Sequence, residues 1–296
     1  MAKWLKSTDL INFEVHDRIA WITMNRPDKR NALSPELITE VHDAMLEADD
    51  LTSVHVIVLQ GAGKDFCAGY DLGFGSNPAN QADAEGRYRT RIGTYDDDVW
   101  TMQRKMGKML IIPDVHKPVI AKVQGRALAG GAELALCCDI VIAADDALIG
   151  HPGARGIGSP PVNYWFYHLG PQWAKRLLLT GDSLTGRDAA RLGMVLDAVP
   201  AGELDAEVAA LAKRIAILDP EISAAQKRIV NVQMDLAGAR MAQGFALEAD
   251  ARAHLSQGPG RQKWRADVKE HGVREAIRIR DAQYGSEPVR IRFLED

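Results

Sequence analysis

Cysteine is scarce in this chain, whose 296 residues include only Cys67, Cys137 and Cys138. An odd number of cysteines without regular spacing excludes a disulfide framework and favours free cytosolic thiols. The sequence also has no CxxC pair and no HExxH segment, and its eight histidines are scattered. We therefore expect neither a structural nor a catalytic metal site.

Long apolar runs and an excess of positive charge are absent as well. No segment approaches the roughly eighteen consecutive apolar residues of a membrane-spanning helix. The N-terminal sequence MAKWLKSTDL lacks the apolar core of a secretory signal, and a formal net charge of −4 gives no sign of a broad basic surface for nucleic acid. We expect a cytoplasmic protein that has neither a membrane nor a nucleic acid as partner.

The chain does have the composition of a globular protein, with 46% apolar and 26% charged residues. Strands are predicted to alternate with helices in its first two thirds, which indicates an α/β fold with parallel strands. Ser34, Pro35 and Glu36 predict a helix start, because serine caps the amides, proline fits the first turn and an acid suits the dipole. The other predicted elements are a hairpin over 13–25, strands at 54–61, 118–125 and 139–144, helices at about 98–111 and at 129–138, and a mostly helical region after 182. Residues 73–97 are predicted to be a mobile loop over a site, with a plain surface excursion as the alternative.

Two glycine-containing loops follow predicted strands, FCAGYDL at 66–72 and AGGAELALCCD at 129–139. Glycine leaves neighbouring amides uncovered, and the start of a helix concentrates unpaired N–H groups. Amides near Ala68 and Gly130 that point at one spot would form an oxyanion hole. The alternative is that both loops are tight turns that need glycine. The nearby GAGK is not a phosphate-binding loop, because Val58 and Asp65 occupy that motif's glycine and serine/threonine positions.

Several segments together resemble the crotonase superfamily, the enoyl-CoA hydratase/isomerase type. They are NRPDKRNAL, FCAGYDL, QGRALAGGAELALCCDIVIAADDA and LLLTGDSLTGRDAARLGMVLDAV, in the family's order and spacing. The resemblance implies a spiral of ββα repeats over 1–200, which binds CoA, and a helical trimerisation region over 201–296. It implies a homotrimer or a dimer of trimers and an acyl-CoA substrate, with coenzyme A as part of the substrate and no separate cofactor.

The same resemblance implies the residues of the site. The amides of Ala68 and Gly130 would hold the thioester oxygen as it becomes an enolate, and Glu133 would act as an acid/base. Gly131 would let the substrate approach. The implied CoA and substrate contacts are Asn25, Arg26, Lys29, Ala32, Cys67, Asp71, Leu72, Gly153 and Tyr164. For Lys29 an ordinary solvated surface is an equal alternative, Cys67 is interpreted as packing, and Tyr164 also fits an ordinary helix face.

The sequence departs from the hydratase pattern at Gly153. Hydratases of this family carry a second glutamate there, after Gln-Pro, whereas this chain has His151-Pro152-Gly153. Glu133 would then work alone, as in an isomerase, or with His151, whose usual pKa near 6.5 suits proton transfer. The remaining alternatives are a thioester or β-diketone hydrolase that uses His151, a CoA-binding protein without activity, and a purely structural His151.

The C-terminal segment GVREAIRIRDA resembles the family's terminal segment, with isoleucine where an aromatic residue is usual. In the family this region can reach the CoA of a neighbouring subunit. Phe245, Arg278 and Arg280 are therefore candidates for such contacts.

Overall fold

A computed structural model describes residues 2–73, 94–285 and 287–291. Among these residues, strands and helices alternate up to residue 199 and helices follow, which confirms the predicted α/β fold with a helical C-terminal region. The strands are β1 (Ile11–His16), β2 (Ile19–Met24), β3 (Val56–Gly61), β4 (Val119–Val123), β5 (Arg126–Leu128), β6 (Ile140–Ala144), β7 (Leu148–Gly150), β8 (Ser183–Thr185) and β9 (Asp197–Val199). The helices are α1 (Pro35–Asp50), α2 (Tyr95–Met109), α3 (Gly130–Leu136), α4 (Trp165–Thr180), α5 (Gly186–Arg191), α6 (Leu204–Ile215), α7 (Pro220–Leu236), α8 (Ala239–Leu255) and α9 (Pro259–Asp281).

The main sheet has the strand order β1-β2-β3-β4-β6-β9, and every pair except β1–β2 is parallel. The predicted hairpin closes through Asp17 and Arg18, which both have positive φ angles of 53° and 64°. Two such residues are typical of the tight turn that matches strand twist. The first strand begins at Ile11, two residues earlier than predicted, because Ile11 pairs with Met24.

A second, smaller sheet of β5, β7 and β8 lies beside the loop that contains FCAGYDL. Cys67 forms a parallel bridge with Ala127 of β5, and the Leu128 amide donates to the Cys67 carbonyl at 3.0 Å. The FCAGYDL loop is therefore hydrogen-bonded to the strand that leads into the second glycine-containing loop, although about 60 residues separate the two segments in the sequence.

Two predicted helix starts have different outcomes. Helix α1 begins as predicted, with Pro35 in its first turn and the Ser34 hydroxyl accepting from the Leu37 amide at 3.3 Å. The predicted start of the next helix at Asp98 was wrong, because α2 begins at Tyr95, where the Thr94 side chain caps the Asp97 amide. Of the loop predicted at 73–97, residues 74–93 lie outside the described residues.

The C-terminal helices share the core of the preceding residues. Helix α6 contacts β3, β4 and β6, and α8 contacts α2. One cluster of buried apolar side chains extends from Ile11 to Ala251. The segment GVREAIRIRDA, in the region predicted to be mostly helical, forms the second part of α9, which is kinked at Gly272, where φ is 79°. The division into regions at residue 200 stays a prediction.

The tail beyond α9 is held against β8. The Val289 amide donates to the Ser183 carbonyl at 2.9 Å, Ile291 is buried, and the Arg155 guanidinium lies 4.4 Å from the ring centre of Tyr284. No helix in the described part of the chain is long and apolar enough to cross a membrane.

Candidate active site

Helix α3 starts where the small sheet meets the FCAGYDL loop. Ala129, just before it, has a strained positive φ of 48° and is held by its amide, which donates to the Gly150 carbonyl at 2.8 Å. A Cβ at Gly131 would lie only 2.2 Å from the Cys67 carbonyl oxygen. Glycine is therefore needed at 131 for the close approach of the loop backbone, whereas the sequence had suggested the approach of a substrate.

The amides near this helix start differ in their partners. The Ala68 amide donates to the Arg30 carbonyl at 3.0 Å, so this N–H is already paired, contrary to the prediction that it is free for an oxyanion. The amides of Tyr70 and Gly130, by contrast, have no acceptor among the residues that the structure describes. The two residues are in contact, since a Cβ at Gly130 would lie 2.7 Å from Cζ of Tyr70.

Glu133, on the first turn of α3, is almost fully buried, with 1% of its surface exposed. The Tyr70 hydroxyl donates to its Oε2 at 2.7 Å, and the Val162 amide donates to the same oxygen at 3.1 Å. Nε2 of His151 lies 3.2 Å from its Oε1. A buried carboxylate is costly unless such donors compensate it, so these contacts explain how an acid fits into this apolar helix.

The structure brings His151 to Glu133 and explains how Gly153 allows it. His151 is 3% exposed, and its ring packs edge-on against Trp165, with the ring centres 6.3 Å apart. A Cβ at Gly153 would lie 3.0 Å from Cε1 of His151, so the imidazole fills the space beside Cα of Gly153. Nδ1 of His151 is buried and has no partner within the described part of the chain.

Tyr70 was missed by the sequence reasoning, although it lies inside the FCAGYDL motif. Its hydroxyl contacts both Glu133 and, at 3.1 Å, the sulfur of Met106. Burial and the negative charge of Glu133 raise the pKa of Tyr70 well above its ordinary value. The hydroxyl therefore keeps its proton and donates to Glu133. The signal was an aromatic residue directly after the glycine of a turn.

Three of the predicted CoA contacts bind one another. The Arg26 guanidinium pairs with the Asp71 carboxylate at 3.0 Å and also donates to the Ala32 carbonyl. Asn31, a second residue that was missed, is fully buried. Its side chain accepts from the Arg26 amide and donates to the carbonyls of Ala62 and Asp65. These contacts hold the segment after β2 against the FCAGYDL loop.

The remaining predicted contacts are spread over different surroundings. Lys29 is exposed, and the exposed side chain of Asn25 lies 3.4 Å from that of Asn12. Cys67 is fully buried, and burial raises the pKa of its thiol to about 12, so it remains a neutral packing group. All three cysteines are free thiols, as predicted.

A cavity of about 340 Å³ lies beside these groups. Both Tyr70 and His151, which contact the buried carboxylate of Glu133, line it. Its lining also includes Ala68, Leu72, Gly153, Arg30, Arg126 and Arg280.

Tyr164, an implied substrate contact for which an ordinary helix face was the alternative, lines a different cavity, together with Cys137 and His168. The candidate CoA contacts near the C-terminus also lie in different surroundings. Arg280 lines the first cavity, whereas Arg278 pairs with Glu275 on the surface and Phe245 is exposed.

A buried carboxylate and imidazole lie close to two main-chain amides that have no acceptor among the described residues, and the imidazole and Tyr70 line one cavity. This combination is typical of an enzyme active site. The chain belongs to the enoyl-CoA hydratase/isomerase family, within the crotonase superfamily, because the family's sequence model matches residues 14–264.

Relatives and solved structures agree with this assignment. The crotonyl-CoA hydratase of Syntrophomonas wolfei is 35% identical over 210 residues, which are 69% of this chain and 75% of the relative. A crystal structure of an enoyl-CoA hydratase from Mycobacterium smegmatis superposes with a TM-score of 0.84 at 33% identity, covering 94% of this chain and 96% of that chain. An enoyl-CoA hydratase/isomerase from Xanthobacter autotrophicus Py2 gives a TM-score of 0.84 at 31% identity, covering 94% and 99%.

Proposed function

We propose that this enzyme processes an acyl-CoA through a thioester enolate and uses Glu133 and His151 as one acid–base unit. The observation that carries the proposal is the 3.2 Å contact between Oε1 of Glu133 and Nε2 of His151, with His151 facing the cavity. Coenzyme A enters as part of the substrate, and no separate cofactor is needed.

The oxyanion hole is assigned to the amides of Tyr70 and Gly130. The Ala68 amide is replaced in this role because its hydrogen is already donated to Arg30. Two donors at the thioester oxygen stabilise the negative charge that develops when the α carbon becomes nucleophilic, and removing one donor typically costs about a hundredfold to a thousandfold in rate.

The acid–base unit supports hydration as the leading reaction. One member takes a proton from water as the water oxygen bonds to the β carbon, and the electron pair moves to the thioester oxygen. The other member then donates a proton to the α carbon, and the carbonyl re-forms. Hydratases with two glutamates carry the second one at the position of Gly153. In this chain His151 takes over the role of that second group, since its ring occupies the space beside Gly153.

Isomerisation is the second candidate, and it is favoured by the presence of one carboxylate at the start of α3. A single base that removes a proton from one carbon and returns it to another would move a double bond without water. Hydrolysis of a thioester or β-diketone would instead use His151 to activate water, and a protein that only binds CoA would need neither group.

For CoA itself, the cations around the cavity are the candidate contacts. The Arg30 and Arg126 side chains are 59% and 42% exposed, so they can pair with phosphate groups, although both also approach the buried carboxylate of Asp65. Arg280 also lines the cavity but is buried. Lys29 is exposed as well and remains a further candidate for a contact with CoA.

A panel of acyl-CoA esters with products followed by mass tests the reaction. We expect 2-enoyl-CoA esters to gain water, whereas a shifted double bond at unchanged mass would favour isomerisation and free CoA would favour hydrolysis. Glu133→Gln and His151→Asn should each lower kcat by about a hundredfold to ten-thousandfold.

His168→Asn is the matched control, because His168 is a partly buried histidine that bonds the Leu136 carbonyl in the other cavity. Equal activity of wild type, Glu133→Gln and His151→Asn would refute the acid–base assignment. Binding of CoA esters without turnover of any panel member would indicate the inactive, CoA-binding alternative.

A further inference from the structure

A second cluster of titratable side chains lies on the same cavity, and the proposed reaction does not use it. Asp250 and His254, four residues apart on α8, both line the cavity. Nε2 of His254 lies 3.5 Å from Oδ2 of Asp250, and its Nδ1 lies 2.8 Å from Oδ2 of Asp98 on α2. Asp250 and His254 thus line the pocket, and Asp98 of α2 pairs with His254.

The backbone beside Asp250 is shaped to receive its carboxylate. The Ser159 amide donates to Oδ1 of Asp250 at 2.8 Å. A Cβ at Gly158 would lie only 2.3 Å from the same oxygen, so the approach requires glycine at 158. Asp250 is 4% exposed and Asp98 is 6% exposed. Burying two carboxyl groups costs folding free energy, so we expect these residues to have a function in the pocket.

Two polar atoms on the cavity residues lack partners. The hydroxyl oxygen of Ser159 and Nδ1 of His151 are buried, and neither has a hydrogen-bond partner among the described residues. Both residues line the cavity together with Asp250. Buried polar atoms are nearly always satisfied in folded proteins, so a polar ligand group is the expected partner of these atoms.

The charges around the cluster favour an acceptor at Asp250. Burial is the main cause that raises the pKa of Asp250, to about 6, and the negative charge of Glu133 also raises it. The charge of His254 and the hydrogen bond from the Ser159 amide lower the pKa, but by less. Burial lowers the pKa of His254, but the hydrogen bond to Asp98 and the charge of Asp250 raise it overall. Arg261 of α9 and His151 are further charged or titratable groups that act on the pair. At neutral pH, Asp250 is therefore mainly a carboxylate beside a partly protonated imidazole.

We propose that Asp250 and Ser159, supported by His254 and Asp98, form a subsite for a hydroxyl group on the acyl part of the substrate. The proposal rests on the acyl-CoA function above and deepens it. A hydroxyl group donates to the Asp250 carboxylate and accepts from the Ser159 hydroxyl, so it satisfies both. An unsubstituted alkyl chain would leave the Ser159 hydroxyl buried without a partner among the described residues, and sites built for a hydroxyl reject analogues that lack it. The preferred substrates are hydroxyacyl-CoA esters whose hydroxyl lies away from the reacting carbons.

The test compares a 2-enoyl-CoA ester with its terminally hydroxylated counterpart of equal chain length. We expect the wild type to prefer the hydroxylated ester in kcat/KM. Asp250→Asn should lower kcat/KM for that ester by about tenfold to a hundredfold, as for a hydrogen bond to a charged group, and should change it for the alkyl ester by much less. Ser159→Ala should lower the same preference by a smaller factor, and it keeps the test available if Asp250→Asn does not fold.

Glu248→Gln is the matched control, because it removes an exposed carboxylate from the same helix. It should leave kcat/KM unchanged for both the hydroxylated ester and the alkyl ester. If the wild type and Asp250→Asn preferred the hydroxylated ester over the alkyl ester to the same extent, the subsite proposal would be overturned. Loss of turnover of both esters in Asp250→Asn would also overturn it, because Asp250 would then belong to the chemistry.

Binding of the saturated ester pair separates this proposal from the proposed reaction. If no enoyl-CoA is turned over, tighter binding of the saturated hydroxyacyl-CoA than of the alkyl ester, lost in Asp250→Asn, would still support the subsite. Equal affinity for the two esters would overturn the subsite whatever the reaction proves to be.

Discussion

His151 occupies its position because residue 153 has no side chain. The ring lies against Cα of Gly153 on one side and edge-on to Trp165 on the other. The distance of 3.2 Å to Glu133 therefore depends on a glycine that, from sequence alone, looked like the loss of a catalytic acid.

The first prediction concerns this packing. Gly153→Ala places a Cβ about 3.0 Å from Cε1 of His151, so the ring has to shift away. We expect kcat to fall by about tenfold to a hundredfold, as for an acid–base group displaced by part of an ångström, with a smaller change in KM. Gly107→Ala on α2 is the control, because a Cβ there meets no atom of the described residues within 4 Å. An unchanged kcat in Gly153→Ala would mean that His151 is not part of the chemistry.

The second prediction concerns Tyr70. Tyr70→Phe removes the hydroxyl that donates to Oε2 of Glu133 but keeps the ring against Gly130. The free energy of unfolding should fall by about 1–3 kcal/mol, since a buried acceptor loses a donor, which urea denaturation would measure.

The same variant should lower kcat by about tenfold to a hundredfold, because the Tyr70 hydroxyl no longer holds the Glu133 carboxylate in place. An unchanged kcat with a lower free energy of unfolding would show that Tyr70 supports the fold alone. Phe166→Tyr on the exposed part of α4 adds a hydroxyl elsewhere and should change neither quantity.

At the scale of elements, the contact of α8 with α2 includes the Asp250–His254–Asp98 cluster, and it carries a stability cost. The folded pKa of Asp250, about 6, lies above its unfolded value near 3.8. Between these values the folded state binds more protons than the unfolded state, so stability decreases as pH rises from about 4 to 6 and stays lower above.

The third prediction follows from this decrease in stability with rising pH. Asp250→Asn should be more stable than the wild type at pH 8, by on the order of 1–3 kcal/mol, since one pKa unit corresponds to about 1.4 kcal/mol. The upper figure assumes that no pairing with His254 is lost. The difference should vanish below the unfolded pKa, where both proteins carry a neutral group. Urea denaturation at pH 3 to 8 measures it, and a wild type more stable than Asp250→Asn at pH 8 would contradict the raised pKa.

At the scale of the whole molecule, α7 and α8 present apolar side chains to solvent. Ile229, Leu236, Met241 and Phe245 are all more than half exposed. Monomeric proteins rarely expose large apolar patches, so we propose, as the resemblance implies, that the chain assembles as a homotrimer or a dimer of trimers.

The fourth prediction is the mass in solution. Light scattering should give three or six times the chain mass of 32.4 kDa, and Leu236→Glu on α7 should dissociate the assembly because it buries an unpaired charge. Leu196→Glu, at an exposed leucine outside α7 and α8, is the control. A monomeric wild type would refute the assembly.

The sequence by itself determined the fold class and part of the site. Local patterns sufficed for the buried strand β3, the capped start of α1, and the segment where α3 begins with Glu133 on its first turn, because each depends on neighbours in the chain. The motifs likewise predicted the family that the comparisons show. The error at the start of α2 arose because the Thr94 cap and the acidic first turn were not weighed.

Only the tertiary structure decided which groups meet. Glu133, His151 and Tyr70 come from three separate segments, and Asp250 and Asp98 come from two distant helices. The pairing of the Ala68 amide with Arg30, the placing of Tyr164 in another cavity and the imidazole beside Gly153 all depend on the packing of separate elements. Hydrogen bonds and close contacts between distant segments are set by how the layers pack, and no local pattern in the sequence encodes them.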